Sequence, residues 1–195
     1  MWDERYSTDE YAYGKEPNDF LRKHAGIIPS GRVLCLAEGE GRNAVYLAGQ
    51  GYQVTAVDSS LVGLKKAQKL ADERGVKIET HHADLEDFDF GLDRWSGIVS
   101  IFCHLPAPLR RTVHSKVVSS LRSGAFVLLE AYTPKQLEYK TGGPPVAEIT
   151  MDSASLKSEL EGLEFIELNE IEREIHEGQL HNGMGAVVQL IAHKP

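Results

Sequence analysis

The chain has 195 residues, 42% of them hydrophobic and 26% charged, and carries a net charge of −8. This composition is typical of one globular domain, so we predict a single domain over residues 1–195. The acidic balance argues against nucleic acid as a partner, because phosphate backbones attract basic proteins. Every apolar run is far shorter than the ~20 residues of a membrane span, so we expect no membrane partner either.

The first segment, residues 1–26, is acidic and aromatic and lacks the apolar core of a signal peptide. It contains Trp2, Tyr6, Tyr11 and Tyr13 within twelve residues. So much aromatic surface needs something to pack against. Two alternatives stay open for this segment: a lid that closes over a bound ligand, or a strap packed on its own domain.

Helical and strand-like segments then alternate along the chain. Apolar periodicity bounded by proline or glycine predicts the helices, and continuous apolar runs predict strands buried on both faces. In chain order the sequence predicts a helix over 17–26, a strand over 32–38, a helix over 41–51, strand 53–58, helix 60–75, strands 76–84 and 96–105, helix 108–124, strand 125–133 and helix 152–162.

The alternation stops near the end of the chain, where two strand-like runs, 163–178 and 186–194, have no helix between them. Such a short separation predicts an antiparallel hairpin. Five strand–helix units followed by a hairpin predict a three-layer α/β fold. Its sheet should be Rossmann-like, mixed and seven-stranded, with the antiparallel hairpin at the C-terminus.

The stretch "LCLAEGEGRNAVYLA" joins the first predicted strand to the next helix through two glycines, Gly39 and Gly41. Glycine at this place lets a ligand approach the backbone closely. Asp58 closes the second strand 19 residues after Gly39, at the spacing of an acid that binds a ribose. This pattern alone leaves a nicotinamide dinucleotide and S-adenosylmethionine both open as the cofactor.

Three features favour S-adenosylmethionine over a dinucleotide. One sheet domain uses up the chain, and its last two strands form the reversed hairpin. The third feature is Asp84, which follows the third strand where an acid can meet the adenine amino group, although an aspartate that starts a turn is the alternative. A Walker-type phosphate loop is excluded, because G-x-x-x-x-G-K-[ST] does not occur.

The stretch "CLAEGEGRNAVYLAGQGYQVTAVDSS" resembles the class I S-adenosylmethionine-dependent methyltransferases, and within them the small bacterial group related to tellurite-resistance and thiopurine methyltransferases. The resemblance implies that Gly39 and Gly41 lie under the methionine part of the cofactor and that Asp58 binds its ribose. It also implies cofactor contacts for Tyr13, Ser59, Asp84, Leu85 and Phe102. We further expect the turn residues Glu38, Glu40 and Asn43 to contact the cofactor.

The sequence departs from that family at the end of the first strand. Cys35 replaces the usual acid, Ala37 replaces a glycine, and Glu38 adds a carboxylate to the turn. We expect Glu38 to take over contacts to the cofactor ammonium. These departures keep open the alternative of a protein that binds the cofactor without catalysis, because fold and function can separate.

The resemblance places Cys103 and His104 beside the transferred methyl group. His104 is the predicted catalytic base, since its ordinary pKa near 6.5 suits proton transfer; a histidine bonded to a loop carbonyl is the alternative. Cys103 is either a methyl-accepting or metalloid-binding thiol or a small core residue. The loop 141–145 and three hairpin residues are expected near the acceptor, namely Arg173, His176 and His181.

The predicted activity is methyl transfer to a small molecule, with a thiol or metalloid favoured by kinship only. A reductase using NAD(P) is the further alternative. No metal site is expected, because adjacent His81 and His82 point to opposite faces of a strand and no histidine spacing matches a recognised site. We expect a cytoplasmic protein; its oligomeric state and its acceptor are not readable from the sequence.

Overall fold

A computed structural model describes residues 2–195; Met1, the first residue of the predicted segment 1–26, lies outside the described residues. The helices are α1 (Trp2–Arg5), α2 (Asp19–His24), α3 (Arg42–Gly49), α4 (Leu61–Glu73), α5 (Ala107–Ser120), α6 (Gln136–Tyr139) and α7 (Ser153–Glu159). The strands are β1 (Arg32–Leu36), β2 (Gln53–Asp58), β3 (Glu79–His82), β4 (Trp95–Ile101), β5 (Leu121–Tyr132), β6 (Glu164–Glu177) and β7 (His181–His193).

Over residues 2–195, seven strands form one sheet in the order β3-β2-β1-β4-β5-β7-β6. Neighbouring strands from β3 to β5 are parallel, and β7 runs antiparallel to both β5 and β6. The predicted mixed sheet and terminal hairpin are confirmed. Because the chain leaves β1 on one side towards β2 and later returns to β4 on the other, the strand order reverses beside β1, where open α/β sheets bind ligands.

Side chains of the central strands alternate between two apolar clusters, one on each face of the sheet. Leu34 and Leu36 of β1 pack in the cluster that contains α5 and α7, whereas Val33 and Cys35 pack in the cluster that contains α2, α3 and α4. This alternation follows from the two-residue repeat of a strand. It explains why β1 reads as a continuous apolar run and why the fold has three layers.

Several boundaries differ from the prediction. The third strand is confined to Glu79–His82, because those four residues are the ones that pair with β2. Helix α5 ends at Ser120, and β5 is assigned from Leu121 through a segment that includes Gly124. The helix predicted over 17–26 begins at Asp19, with Asn18 as its N-cap, and so Pro17 lies outside it.

The C-terminal hairpin is longer than predicted. Strand β7 starts at His181, which pairs with Glu177, so the separation is three residues and not the segment between Gly178 and Gly185. The first residues of β7 were not predicted as a strand, because Gly183 and Gly185 lower the strand propensity of this segment. At Gly185 the reason is close packing: an added Cβ would lie 2.6 Å from Cδ1 of Ile175 on the paired strand.

Candidate functional site

The functional residues predicted from sequence converge at the edge where the parallel strands end. The glycine turn follows β1, Asp58 is the last residue of β2, and Phe102 follows β4 directly. Tyr132 ends β5 at the same edge, because β4 and β5 are parallel and paired. The first residues of antiparallel β7 reach this edge from the opposite direction, so the hairpin adds side chains to it.

The turn after β1 requires its glycines. Gly39 has φ of +62° and Gly41 has φ of +91°, a region that side-chain-bearing residues rarely adopt. A Cβ on Gly41 would lie 2.5 Å from Cβ of Ala67 on α4, so the turn and that helix touch through bare backbone. A Cβ on Gly39 would lie 2.7 Å from the hydroxyl of Tyr6. Both glycines therefore occupy positions where a side chain would be strained or would collide with a neighbour.

The carboxylate of Asp58 faces this turn. Its Oδ2 accepts the backbone N–H of Gly39 at 2.8 Å, and its Oδ1 accepts the backbone N–H of Ser60 at 2.7 Å. Each carboxylate oxygen accepts one hydrogen bond in the structure and can accept another. The residue is 6% exposed, and burial raises the pKa of its carboxyl. A buried carboxylate with free acceptor capacity fits a ligand that presents two hydroxyls, as a ribose does.

Three other turn residues make contacts within the protein. Glu38 Oε1 accepts the backbone N–H groups of Asn43 and Ala44, so this side chain caps α3. Burial raises its pKa to about 7. Glu40 pairs with Lys66 Nζ at 2.5 Å and accepts the N–H of Ala12, and Asn43 Oδ1 accepts the N–H of Asn18. These contacts fix the turn, and the expected cofactor contacts of the three residues stay predictions.

The residues predicted beside the adenine follow β2 and β3, which are adjacent and parallel. Ser59 and Asp84 are exposed, whereas Leu85 is buried. Asp84 Oδ1 accepts the backbone N–H of Glu86 at 2.9 Å, as in an aspartate that starts a turn. This contact leaves the second carboxylate oxygen available. The geometry is therefore compatible both with an aspartate that starts a turn and with an acid that meets the adenine amino group.

The N-terminal segment covers the glycine turn. Tyr6 is 5% exposed, and burial raises the pKa of its hydroxyl. Asp3 Oδ1 accepts the hydroxyl of Ser60 at 2.5 Å and the N–H of Val62 at 3.2 Å. The segment therefore packs on the glycine turn and on the start of α4. A lid must also pack when closed, so the lid and the fixed strap both remain compatible with these contacts.

Phe102 belongs to a group of four rings that we call the four-ring cluster. Its members are Tyr13, Phe102, Tyr132 and His181. Phe102 stacks on Tyr132 with centroids 4.6 Å apart, and its edge meets His181 at 4.7 Å. Tyr13 approaches the same imidazole at 4.6 Å. Phe102 has φ of +53°, a strained value for a side chain of this size. Such strain is typical of residues that border a ligand site.

His104 and Cys103 are held by contacts within the protein. His104 Nδ1 bonds the carbonyl of Ile149 at 3.1 Å, and its Nε2 faces the N–H of Tyr132 at 3.4 Å. Burial lowers its pKa to about 4. Cys103 is 4% exposed in the apolar cluster of α5, and burial raises its pKa to about 12. These contacts favour the structural alternatives, a loop-bonding histidine and a core thiol, over catalytic roles.

A buried ionic network supports the four-ring cluster from below. Arg42 Nη2 lies 2.6 Å from Glu177 Oε2, and Arg173 bonds Glu130 through two nitrogens at 2.5 and 3.1 Å. Asn18 Nδ2 donates to both glutamates at 2.8 Å. Burial opposes ionisation of Glu177, yet nearby His181 and the charges of Arg42 and Arg173 lower its pKa to about 2.

Sequence reasoning missed part of this arrangement. Of the hairpin residues expected near the acceptor, His181 joins the cluster, Arg173 belongs to the network and His176 is exposed. Gly143 of the loop 141–145 packs on the ring of Tyr132, where a Cβ would lie 2.7 Å away. Tyr132, Glu130 and Glu177 were not predicted. The one available signal was a charged Glu130 inside an apolar strand.

Two expected absences concern metals and membranes. Within residues 2–195, no group of three histidine, cysteine, aspartate or glutamate side chains is arranged to hold a metal ion. His81 contacts Glu79 and His82 contacts the carbonyl of Ser59, so the adjacent pair separates as expected from a strand. No helix in the described part of the chain has both the length and the apolar character needed to cross a membrane.

Comparison with known proteins finds similarity to methyltransferases. A family model described as a methyltransferase domain matches residues 33–124, from β1 to the early part of β5. The chain is also similar to the uncharacterized methyltransferase YodH of Bacillus subtilis, with 30% identity over 117 residues. That match covers 58% of this chain and 48% of YodH, so it spans about half the length of this relative.

Solved structures show the same fold at lower identity. TehB from Haemophilus influenzae aligns with a TM-score of 0.74 and 22% identity, over 100% of this chain and 66% of TehB. The N-methyltransferase NodS from Bradyrhizobium japonicum, solved with S-adenosyl-L-homocysteine, aligns with a TM-score of 0.71 and 14% identity, over 100% and 96% of the two chains. The likeness extends beyond the matched domain to the terminal hairpin.

Proposed function

Since this chain contains a methyltransferase domain on the class I S-adenosylmethionine-dependent fold, we propose that it transfers a methyl group from S-adenosylmethionine to a small-molecule acceptor. The observation that carries the proposal is the pairing of Asp58 with the turn at Gly39. A buried carboxylate with unused acceptor capacity lies beside bare backbone at the point where the strand order reverses.

The residues present fit the cofactor. Asp58 would accept the two ribose hydroxyls, and Gly39 would let the methionine portion lie on the backbone. Ser59 and Leu85 would border the adenine, with Asp84 at its amino group. The bound cofactor supplies an activated methyl group on a sulfonium, so the protein's own task is to orient the acceptor and exclude water.

The N-terminal segment suits the task of excluding water. Tyr6 already covers Gly39, and Asp3 bonds the first turn of α4. We propose that residues 2–13 act as a lid that opens for the cofactor and packs over it again. The aromatic rings of this segment would then face the positive sulfonium, which is favourable through cation–π attraction.

Two alternatives differ from this proposal in measurable ways. A reductase using NAD(P) is disfavoured, because β7 runs antiparallel between β5 and β6, unlike a standard dinucleotide sheet. A protein that binds the cofactor without catalysis would have the same cofactor half. A thiol or metalloid acceptor is favoured by kinship alone. We place the protein in the cytoplasm, consistent with the free buried thiols of Cys35 and Cys103.

The first experiment measures cofactor binding by thermal unfolding. At a hundredfold excess over the dissociation constant, S-adenosylhomocysteine should raise the melting temperature by about 5–10 °C, whereas NADH and NADPH should leave it unchanged. Asp58→Ala should abolish most of that rise. The matched control is Asp72→Ala, an exposed acid on α4. Stabilisation by a nicotinamide cofactor alone would overturn the proposal.

The second experiment tests catalysis. Purified protein is incubated with S-adenosylmethionine and a panel of small thiols, amines, phenols and metalloid salts, and release of S-adenosylhomocysteine is followed. Release with at least one acceptor, lost in Asp58→Ala, supports the enzyme. Tight cofactor binding without release from any acceptor would favour the non-catalytic alternative.

A further inference from the structure

His181, the first residue of β7, has an unusual environment for a buried histidine. The residue is 7% exposed, and its Nδ1 has no hydrogen-bond partner in residues 2–195. The nearest charged oxygen is Glu177 Oε2, at 4.0 Å, which is beyond hydrogen-bonding distance. Buried polar atoms are almost always bonded, so an unpartnered one indicates an absent partner.

Two other histidines of the interior have partners within the fold. Partly buried His104 bonds backbone groups of Ile149 and Tyr132 through its two ring nitrogens. Buried His114, on α5, contacts Glu159 through Nδ1 at 2.8 Å. His181 is therefore the buried imidazole in the described chain whose nitrogen is left for a ligand.

The surroundings of His181 lie at the acceptor end of the strand edge. Phe102 comes from the end of β4, Tyr132 from the end of β5, and Tyr13 from the N-terminal segment. These three rings form apolar walls around the imidazole at 4.6 to 5.2 Å between centroids. Rings of this kind accommodate an apolar molecule and give little compensation for a net charge.

The ionic groups beneath the cluster leave no cation in excess. Arg42 and Arg173 pair with the buried carboxylates of Glu130 and Glu177, and the exposed carboxylate of Asp19 lies 3.9 Å from Arg173. The donor's sulfonium is a positive charge at this site, but methyl transfer converts it to a neutral thioether. An acceptor that keeps a negative charge in the product would then leave that charge uncompensated in the buried site, which is costly in a medium of low polarity. Arg42 Nη1 is also buried without a hydrogen-bond partner among the described residues, and it is the group to which an anionic acceptor would bind.

We propose that the acceptor is an uncharged small molecule with a proton on its nucleophilic atom, and that this atom hydrogen-bonds to His181 within the four-ring cluster. The inference rests on the proposed methyl transfer and adds the class of acceptor to it. His181 takes the proton that the acceptor loses, as the acceptor's lone pair forms the bond to the methyl carbon and the carbon–sulfur electron pair returns to the donor's sulfur. The proton then passes to solvent.

The ionisation state of His181 agrees with this role. Burial lowers the pKa of the imidazole, so the ring is neutral near pH 7 and able to accept a proton. The charged and titratable groups that face it are Glu177 on β6, Arg42 on α3, Arg5 and Tyr13 in the N-terminal segment, Tyr132 on β5, and His104.

The test compares two thiols that differ in charge, 2-mercaptoethanol and 2-mercaptoethanesulfonate, together with sodium tellurite as a metalloid oxyanion. The wild-type protein should release S-adenosylhomocysteine with a kcat/KM at least tenfold higher for 2-mercaptoethanol than for either anion. Preference for the sulfonate or for tellurite would overturn the proposal and would point to Arg42 Nη1 as an anion-binding group.

Variants of His181 test the ring itself. His181→Asn and His181→Phe should lower kcat by about 10²–10⁴-fold with 2-mercaptoethanol, the range of a lost proton acceptor. Affinity for S-adenosylhomocysteine, measured by calorimetry, should change less than threefold. The matched control is His176→Asn, the exposed histidine of the same hairpin, which should keep normal kinetics. Wild-type rates in both His181 variants would overturn the proposal.

A binding measurement makes the result independent of turnover. In the complex with S-adenosylhomocysteine, the imidazole ¹⁵N resonance of His181 should shift on addition of 2-mercaptoethanol, and that of His176 should not. No shift, with S-adenosylhomocysteine bound, overturns the assignment to His181. Failure of the wild-type protein to bind S-adenosylhomocysteine at all would instead overturn the proposed function, so the two failures are distinguishable.

Discussion

The two halves of the proposed site are built in different ways. The half proposed for the cofactor, here the cofactor half, uses glycine backbone, capping contacts and one carboxylate, and its key bond joins Gly39 to Asp58 across 19 residues. The half proposed for the acceptor, here the acceptor half, is made of four rings above an ionic network, and Asn18 bonds Glu130 and Glu177 across 112 and 159 residues. A cofactor common to many enzymes suits a local, backbone-built site, whereas an acceptor specific to one enzyme suits side chains gathered from across the fold.

The largest expected effect comes from breaking the acceptor half. Glu130→Gln should lower the free energy of unfolding by about 3–5 kcal/mol, because it removes the fully buried carboxylate of the closest ion pair and leaves half-buried Arg173 with the longer contact to Glu177 at 3.5 Å. Urea denaturation measures the change. Glu174→Gln, an exposed glutamate on β6, is the control and should lose far less. Equal losses would mean that the network contributes no more than surface pairs.

The next largest loss of stability is expected in the cofactor half, where it arises from the backbone geometry of the glycine turn. Gly41→Ala should cost about 2–4 kcal/mol, because alanine is strained at φ of +91° and its Cβ would overlap Ala67. Gly49→Ala, at the end of α3 with open space around its Cα, should be neutral or slightly stabilising. If the urea midpoint of unfolding of Gly41→Ala equals that of the wild-type protein, the turn is more adaptable than its contacts indicate.

A pH experiment sharpens the comparison within the cofactor half. Burial raises the pKa of Glu38 in the folded protein to about 7, from an ordinary value of 4.5. The folded state therefore holds more protons between these values, and the contribution of Glu38 to stability falls as pH rises through about 7. Glu38→Gln keeps an oxygen for the N–H groups of Asn43 and Ala44 and removes the titration.

The expected result is a stability difference that depends on pH. Glu38→Gln and the wild-type protein should unfold similarly at pH 5, and the variant should gain about 1–3 kcal/mol relative to wild type at pH 8. Chemical denaturation at the two pH values measures it. A constant difference across this range would show that Glu38 does not titrate there.

The smallest expected effect concerns the junction of the N-terminal segment with α4. Ser60 caps α4 by accepting the N–H of Gly63, and its hydroxyl donates to Asp3. Ser60→Ala should cost about 1 kcal/mol through the lost cap. Ser119→Ala, an exposed serine near the end of α5, serves as the comparison. A cost well above 2 kcal/mol would show that Asp3 anchors the segment strongly.

The sequence by itself determined the order of the seven strands and of the five longer helices, the terminal hairpin, and the places of the glycine turn and Asp58 at strand ends; the four-residue helices α1 and α6 were not predicted. These features depend on local signals: apolar runs, residues that favour positive φ, and spacing along a strand–turn–helix unit. The uncertain boundaries lay where local signals conflict with pairing. At 183 and 185, for example, glycines occur inside β7 and pairing with β6 prevails.

Only the tertiary structure decided the acceptor half. Tyr13, Phe102, Tyr132 and His181 are far apart in the sequence and meet because antiparallel β7 brings its first residue to the carboxyl ends of β4 and β5. The same packing gave His104 and Cys103 structural contacts and left the nitrogen of His181 unpartnered. Burial and hydrogen bonding are properties of the folded surroundings, so no local pattern specifies which histidine is free to act.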